Sequence, residues 1–220
     1  MKNTFGTSVA VTLFGESHGA MIGAVLDGLA PGIEVDEDFI ASRMALRRSV
    51  NALSTARREE DRVRIVSGVV DGHTTGTPIT LLIENADTKS GHYSEMQTLA
   101  RPGHADFTAY EKYHGYADTR GGGHFSGRIT AGLVAAGAIA TLALDKKGIR
   151  IGTHIAACGG VADRAFDDMN ADLATLRDRE FAVLDEAQGE KMKQAILAAK
   201  ADGDSVGGIL ETAVGGRRAG

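Results

Sequence analysis

Three consecutive glycines lead directly into the longest apolar stretch of the chain. Residues 127–144 are almost wholly apolar and have helical spacing. A helix with so few polar positions is predicted to be buried on all sides. The glycines at 121–123 allow backbone conformations that other residues avoid, so a tight loop is predicted just before this helix. The sequence therefore predicts a buried helix that begins at a glycine loop.

Periodicity elsewhere predicts strands and helices in irregular alternation. Strands are predicted at residues 9–14, 22–27, 62–70, 78–84, 149–157 and 206–214. Further helices are predicted at residues 37–48, capped by Asp36, and at residues 188–200. Residues 85–123 have little periodicity and are predicted to be a long irregular segment with a functional role. Because the strands lack regular βαβ spacing, the predicted fold class is α+β, with antiparallel sheets packed on helices.

Composition restricts the classes of function. The 220 residues suffice for one domain with its own core, and no apolar run approaches the roughly 18 residues of a membrane span. The single cysteine, Cys158, indicates a reducing compartment, so the cytoplasm is predicted. A net charge of −5 argues against nucleic-acid binding. It permits a small anionic ligand, because a pocket can be basic on an acidic protein.

The turn after the first predicted strand carries a serine next to a histidine. Residues 15–19 read Gly-Glu-Ser-His-Gly, which matches the nucleophile elbow of serine hydrolases, with Ser17 as the nucleophile. A strand rather than a helix follows, so this alternative has little support. A polar hairpin turn remains open. So does a site in which His18 gives a proton to a leaving group, a task for which histidine is a common residue type.

The glycine loop itself is a candidate phosphate site. Its backbone amides and the start of the following helix can face an anion, and Arg120, His124, Ser126 and Arg128 lie beside it. It lacks the Gly-Lys-Ser/Thr ending of a Walker loop. The alternative is a glycine turn with Ser126 as a helix cap.

Other basic residues and histidines are weaker signals. Arginines at 47, 48, 57 and 58 suit carboxylate or phosphate binding, although arginines at the end of a helix also interact with its dipole. The histidines at 92, 104 and 114 lack the spacing of a zinc site, so no metal is predicted.

Taken together and in order, these motifs resemble the chorismate synthase family. The match runs from Phe5 to about Leu144 and is thinner afterwards. The matching segments are residues 14–19, 27–28, 31–32, 57–59 with 61, 67–69, 75–79, 101–106, 112–113, 120–123 and 135–140.

The resemblance implies a lyase that removes phosphate from 5-enolpyruvylshikimate 3-phosphate by anti-1,4-elimination to give chorismate. It implies reduced FMN as the cofactor, NADPH as a possible reductant, and a homotetramer. It also implies a fold in which helices are sandwiched between antiparallel β-sheets, and a small phosphorylated substrate, with neither nucleic acid nor membrane as a partner.

The resemblance assigns roles residue by residue. His18 is implied to protonate the departing phosphate, and His104 to protonate or hold the reduced flavin. Arg47 is implied to bind the anionic substrate and a nicotinamide cofactor. The remaining implied contacts are Ser17, Arg57, Ser126 and Arg128 with substrate, and His124, Phe125 and Ser126 with FMN.

Three departures from the family pattern affect these expectations. His124-Phe125-Ser126 stands where Arg-Ser-Ser is frequent, so the FMN contact is expected to be altered. Leu53 replaces a usual arginine. The family's chains continue past residue 220, so residues 1–220 are expected to form a single but incomplete domain. An inactive fragment that retains ligand-binding or assembly surfaces is therefore the main alternative to a working enzyme.

Overall fold

A computed structural model describes residues 2–47, 61–86 and 99–216. The described residues form two compact units, one of residues 2–47, 61–86 and 99–142 and the other of residues 143–216. Both combine helices with antiparallel strands, so the predicted α+β class is confirmed. One domain over residues 1–220 stays a prediction.

The first unit is built on a five-stranded antiparallel sheet. Its strands are β1 (Thr4–Gly6), β2 (Ala10–Gly15), β3 (Met21–Asp27), β4 (Val63–Ser67) and β7 (Ile79–Glu84), in the order β1-β2-β3-β7-β4. A separate two-stranded ribbon pairs β5 (Val69–Val70) with β6 (His73–Thr74). The single strand predicted at residues 62–70 is therefore wrong. Gly68 interrupts it in a left-handed conformation (φ +79°), which glycine adopts without strain.

Two helices, α1 (Glu37–Ala45) and α3 (Thr130–Asp145), pack on one face of this sheet. A third, α2 (Asp106–Tyr113), precedes the glycine loop in the chain. Asp36 caps α1 as predicted, since its carboxylate accepts a hydrogen bond from the Phe39 amide at 2.9 Å. The core joins alternate residues of β3 and β7 to α1 and α3. Its buried members include Ile22, Leu26, Ile40, Met44, Ile79, Leu81, Ile83, Ala135 and Ile139.

Helix α3 lies very close to the sheet near its start. A β-carbon on Gly132 would lie 2.7 Å from the carbonyl oxygen of Gly23 on β3, so only glycine permits this approach. The prediction that α3 is buried on all sides is wrong, because Thr130, Leu133 and Gly137 form an exposed stripe. Their spacing places them on one helical face, while the opposite face packs on the sheet.

The same segment corrects the expectation about membrane spans. Gly127–Asp145 is long and apolar enough, at 19 residues and a mean hydropathy of 1.6, to cross a membrane by length and composition alone. Core helices of soluble proteins pass the same test, and this one contributes six small or aliphatic residues to the core. These are Ile129, Ala131, Ala135, Ala136, Ala138 and Ile139.

The second unit has a three-stranded sheet and two helices. The strands β8 (Arg150–Cys158), β9 (Val161–Ala162) and β10 (Gly208–Gly215) have the order β10-β8-β9. The helices are α4 (Met169–Leu176), which periodicity did not predict, and α5 (Glu186–Ala201). Cys158 is a buried free thiol in the small core of this unit.

Candidate active site

Ser17 and His18 lie in the turn that joins β2 to β3. The Ser17 hydroxyl lies 3.0 Å from Nδ1 of His18 and donates to the carbonyl of Arg120 at 3.3 Å. The Ser17 amide donates to the carbonyl of Gly123 at 3.1 Å, and the residue is fully buried. The motif thus joins two antiparallel strands and anchors the glycine loop. This context argues against a nucleophile elbow, which needs a following helix and an exposed serine.

The glycine loop is held in a conformation that only glycine adopts readily. Gly121, Gly122 and Gly123 all have positive φ, at +59°, +102° and +54°. Two of them make room for imidazole rings. A β-carbon on Gly121 would lie 2.1 Å from Cε1 of His18, and one on Gly122 would lie 2.9 Å from Nε2 of His104. The two predicted catalytic histidines therefore each lie against one of two neighbouring glycines.

His104 is oriented by a carboxylate. Its Nδ1 hydrogen-bonds to Oδ1 of Asp106 at 2.6 Å, and Asp106 also takes two guanidinium bonds from Arg101, at 2.7 and 2.8 Å. Hydrogen bonds from Arg101, the largest influence, and from His104 hold the pKa of Asp106 well below its usual range. Because a carboxylate only accepts hydrogen bonds, Nδ1 carries the hydrogen and Nε2 faces the glycine loop.

Replacing Asp106 by asparagine tests this anchor. We expect Asp106→Asn to lower the free energy of unfolding by about 1 to 3 kcal/mol at pH 7, because two charge-assisted pairs weaken. The lowered pKa means that the carboxylate stabilises the fold fully above about pH 4, the ordinary pKa of aspartate, and loses this effect as pH falls further. Urea unfolding from pH 3 to pH 7 measures the difference in the free energy of unfolding between the variant and the unsubstituted chain. A difference that does not become smaller below about pH 4 would contradict the prediction.

The residues after the glycines have mixed roles. Nδ1 of His124 lies 2.9 Å from the carbonyl of Gly15, so it donates there and ties the loop to β2. The Ser126 hydroxyl accepts from the amide of Arg128 at 3.2 Å and caps the short 3₁₀ turn before α3. Phe125 is 42% exposed and lies beside Tyr113, with ring centroids 6.0 Å apart.

A cavity of about 310 Å³ adjoins this loop. Its walls combine four aromatic rings and the His124 imidazole with the acidic residues Glu16 and Asp118. The rings are those of Phe14, Tyr113, Tyr116 and Phe125. A hydrogen-bonded ion pair with Arg120 lowers the pKa of Asp118, so that carboxylate is already compensated. The cavity therefore offers aromatic rings together with polar and acidic groups next to the glycine loop.

Arg47 and Arg128 meet at one carboxylate. Nη1 of Arg47 donates to Oδ2 of Asp61 at 2.9 Å, and Nη1 of Arg128 pairs with Oδ1 of the same residue. The Arg128 side chain is 3% exposed, and its Nε and Nη2 donate to Oδ1 of Asn85 and to the carbonyl of Glu84, each at 3.0 Å. Arg128 therefore has internal hydrogen-bond partners, and a contact with substrate, as predicted, would have to be made in addition to them.

Several predicted residues fall elsewhere. Arg57, Arg58, Leu53 and His92 lie outside the described residues. His104 and His114 lie at opposite ends of α2 and share no site. The segment 85–123 is less irregular than predicted, because α2 occupies part of it. The apolar periodicity of α2 is weak because most of its side chains are exposed.

Comparison with known proteins gives the family. The family model described as chorismate synthase matches residues 9–220. The chain belongs to the chorismate synthase family. It is 44% identical over 211 residues to a chorismate synthase of Aeropyrum pernix and 47% identical over 208 residues to one of Aliarcobacter butzleri.

These matches cover 96% and 94% of the chain but 56% of each relative. A solved structure titled as a chorismate synthase is similar with a TM-score of 0.72 and 27% identity, over 94% of this chain and 58% of that one. The chain thus spans a little more than half the length of the curated chorismate synthases it matches.

Sequence reasoning did not single out Asn85. Asn85, directly after β7, hydrogen-bonds to both ends of the turn that carries His18. Nothing in its local sequence distinguishes it from an ordinary residue at the end of a strand.

Proposed function

We propose that the protein acts as a chorismate synthase, a lyase that eliminates phosphate from 5-enolpyruvylshikimate 3-phosphate with reduced FMN. The observation that carries this proposal is the packing of two imidazoles, His18 and His104, against neighbouring glycines of one loop. Loss of phosphate requires a proton donor of near-neutral pKa, and histidine is the side chain best suited to that task. The second imidazole, that of His104, is then available to contact the flavin while His18 serves the substrate.

His18 is assigned as the acid for the departing phosphate. The buried hydroxyl of Ser17 lies 3.0 Å from its Nδ1 and so helps to orient the ring. Ser17 therefore contributes by positioning His18 as well as by the substrate contact that the family resemblance implies. His104 is assigned to hold or protonate the reduced flavin, with Nε2 toward the loop because Asp106 occupies Nδ1.

The aromatic cavity fits a planar ring such as that of FMN in size and lining. Its 310 Å³ lie within the usual range for ligand sites, and stacking surfaces are provided by Phe125 and Tyr113. Bound reduced FMN would supply electron density during the elimination. The protein would hold the flavin ring beside His124 and Phe125. It would hold the Ser126 hydroxyl and the two imidazoles next to the substrate.

The substrate carries two carboxylates and a phosphate, so several cationic partners are needed. We assign this role to Arg47 and Arg57, with Arg128 holding Asp61 and Ser126 capping the helix beside them. Arg47 reaches Oγ1 of Thr130 at 3.0 Å as well as Asp61, which holds it near the start of α3. A contact of Arg47 with NADPH, a homotetrameric assembly and a cytoplasmic location complete the proposal.

Truncating Phe125 tests the flavin site. Phe125→Ala is expected to weaken FMN binding about tenfold, because stacking on an aromatic ring typically contributes 1 to 3 kcal/mol. Phe107→Ala is the matched control, since Phe107 is 63% exposed on α2 and does not line the cavity. Titration of FMN followed by flavin fluorescence, with and without substrate, measures both. Equal affinities for the two variants would contradict the assignment of the cavity.

Catalysis and ligand binding without catalysis predict different results in one assay. Phosphate release from the substrate under anaerobic conditions with reduced FMN separates the two. Turnover that His18→Ala abolishes would support the enzyme. Binding of FMN without any release of phosphate would favour the binding protein.

A further inference from the structure

Asn85 fixes the turn that carries His18. Its Nδ2 donates to the carbonyls of Glu16 at 2.9 Å and Gly19 at 2.8 Å, and its own amide donates to the carbonyl of Ala20 at 3.2 Å. The two carbonyls belong to the residues on either side of Ser17 and His18. One side chain thus holds both ends of the segment that presents the proposed acid.

The orientation of the Asn85 amide follows from its partners. Backbone carbonyls only accept hydrogen bonds, so Nδ2 must face Glu16 and Gly19. A guanidinium only donates, so Oδ1 must face Arg128, whose Nε lies 3.0 Å away. A flipped amide would lose all three hydrogen bonds. The side chain is therefore held in one orientation by groups that cannot exchange roles.

Asn85 is in turn hydrogen-bonded to a buried group of charged residues. Arg128 is buried and paired with Asp61, and its Nη2 donates to the carbonyl of Glu84, the residue directly before Asn85. Asp61 in turn accepts from Arg47. A continuous series of hydrogen bonds therefore runs from the two arginines through Asn85 to the turn with His18.

We propose that Asn85 is a positioning residue, which sets the place of the His18 imidazole against the glycine loop. The proposal rests on the proposed function for the importance of His18, but its geometry can be tested without catalysis. Asn85 holds the backbone on both sides of Ser17 and His18, whereas Gly121 and Ser17 lie against the ring itself. Loss of the Asn85 amide would release the turn while leaving the loop intact.

The test compares the chemical reactivity of histidines in the intact chain. In Asn85→Asp the side chain keeps its shape and an oxygen that accepts from Arg128. The other oxygen replaces the amide nitrogen and cannot donate to the carbonyls of Glu16 and Gly19. We expect the rate of His18 modification by diethyl pyrocarbonate, measured by peptide mass spectrometry relative to exposed His73, to rise about tenfold. Asn170→Asp makes the same change at an exposed position of α4 and should leave the ratio unchanged.

Asn85→Ser removes the amide group that donates to both carbonyls and adds no charge. It is the second variant in case Asn85→Asp does not fold. A folded Asn85→Asp or Asn85→Ser protein with an unchanged ratio of His18 to His73 modification would overturn the proposal. Loss of folded protein in both variants would do the same, since Asn85 would then serve stability rather than position. Failure of the unsubstituted chain to release phosphate would refute the proposed function alone and leave this ratio unaffected.

Discussion

Replacing Gly121 by alanine is expected to displace the His18 imidazole and to reduce phosphate release by about 100-fold or more, the usual contribution of a general acid. The added β-carbon would lie 2.1 Å from Cε1 and 2.3 Å from Nδ1 of His18, so the ring must move. It would also lie 3.0 Å from Oγ of Ser17, the hydroxyl that hydrogen-bonds to Nδ1 of His18. The protein would then be folded, but the His18 imidazole would no longer lie where it can protonate the phosphate.

The stability cost of Gly121→Ala should be smaller than its effect on activity. A left-handed conformation costs an alanine about 1 to 2 kcal/mol, while the imidazole is the end of a side chain that can rotate away. Gly127→Ala is the matched control, because a β-carbon there meets nothing within 4 Å. Kinetics of phosphate release with urea unfolding, and the ring signals of His18 by NMR, provide the measurements. Normal turnover and unchanged His18 signals in Gly121→Ala would refute the placement of His18 against the loop.

Removal of the Asp61 carboxylate is expected to have the largest effect on stability. Asp61 is 7% exposed and is the shared partner of Arg47 and the almost fully buried Arg128. Asp61→Ala breaks the ion pair between this carboxylate and the buried guanidinium of Arg128, and breaking a buried pair typically costs about 3 to 5 kcal/mol. Urea unfolding of the variant should show a correspondingly lower midpoint with a similar slope.

Glu84→Ala is the matched control for Asp61→Ala. Glu84 also pairs with an arginine, Arg64, at 3.3 Å, but both side chains are more than half exposed. Solvent-exposed pairs contribute less than about 1 kcal/mol, so this variant should unfold close to the unsubstituted chain. Equal destabilisation by the two substitutions would mean that burial of Arg128 does not govern the energetics of the site.

Local sequence patterns were sufficient to predict most of the longer helices and strands and the family of the chain. Alternation of apolar residues identified β2, β3 and β7, and the Asp36 cap identified the start of α1, because these signals depend on neighbours in the chain. The ordered motifs around Ser17, Arg101 and the glycine loop gave the family. Helices α2 and α4 were not predicted, since short and largely exposed helices carry little apolar period.

Only the tertiary structure decided how the site is held together. The sequence determined that glycines, histidines and arginines with suitable chemistry were present. It could not determine that Gly121 and Gly122 make room for His18 and His104, which lie far from them along the chain. Nor could it reveal that Asn85 and Asp61 connect the arginines to the His18 turn. Such contacts depend on the antiparallel pairing of β3 with both β2 and β7, which brings distant strand ends together, and the local sequence does not specify that pairing.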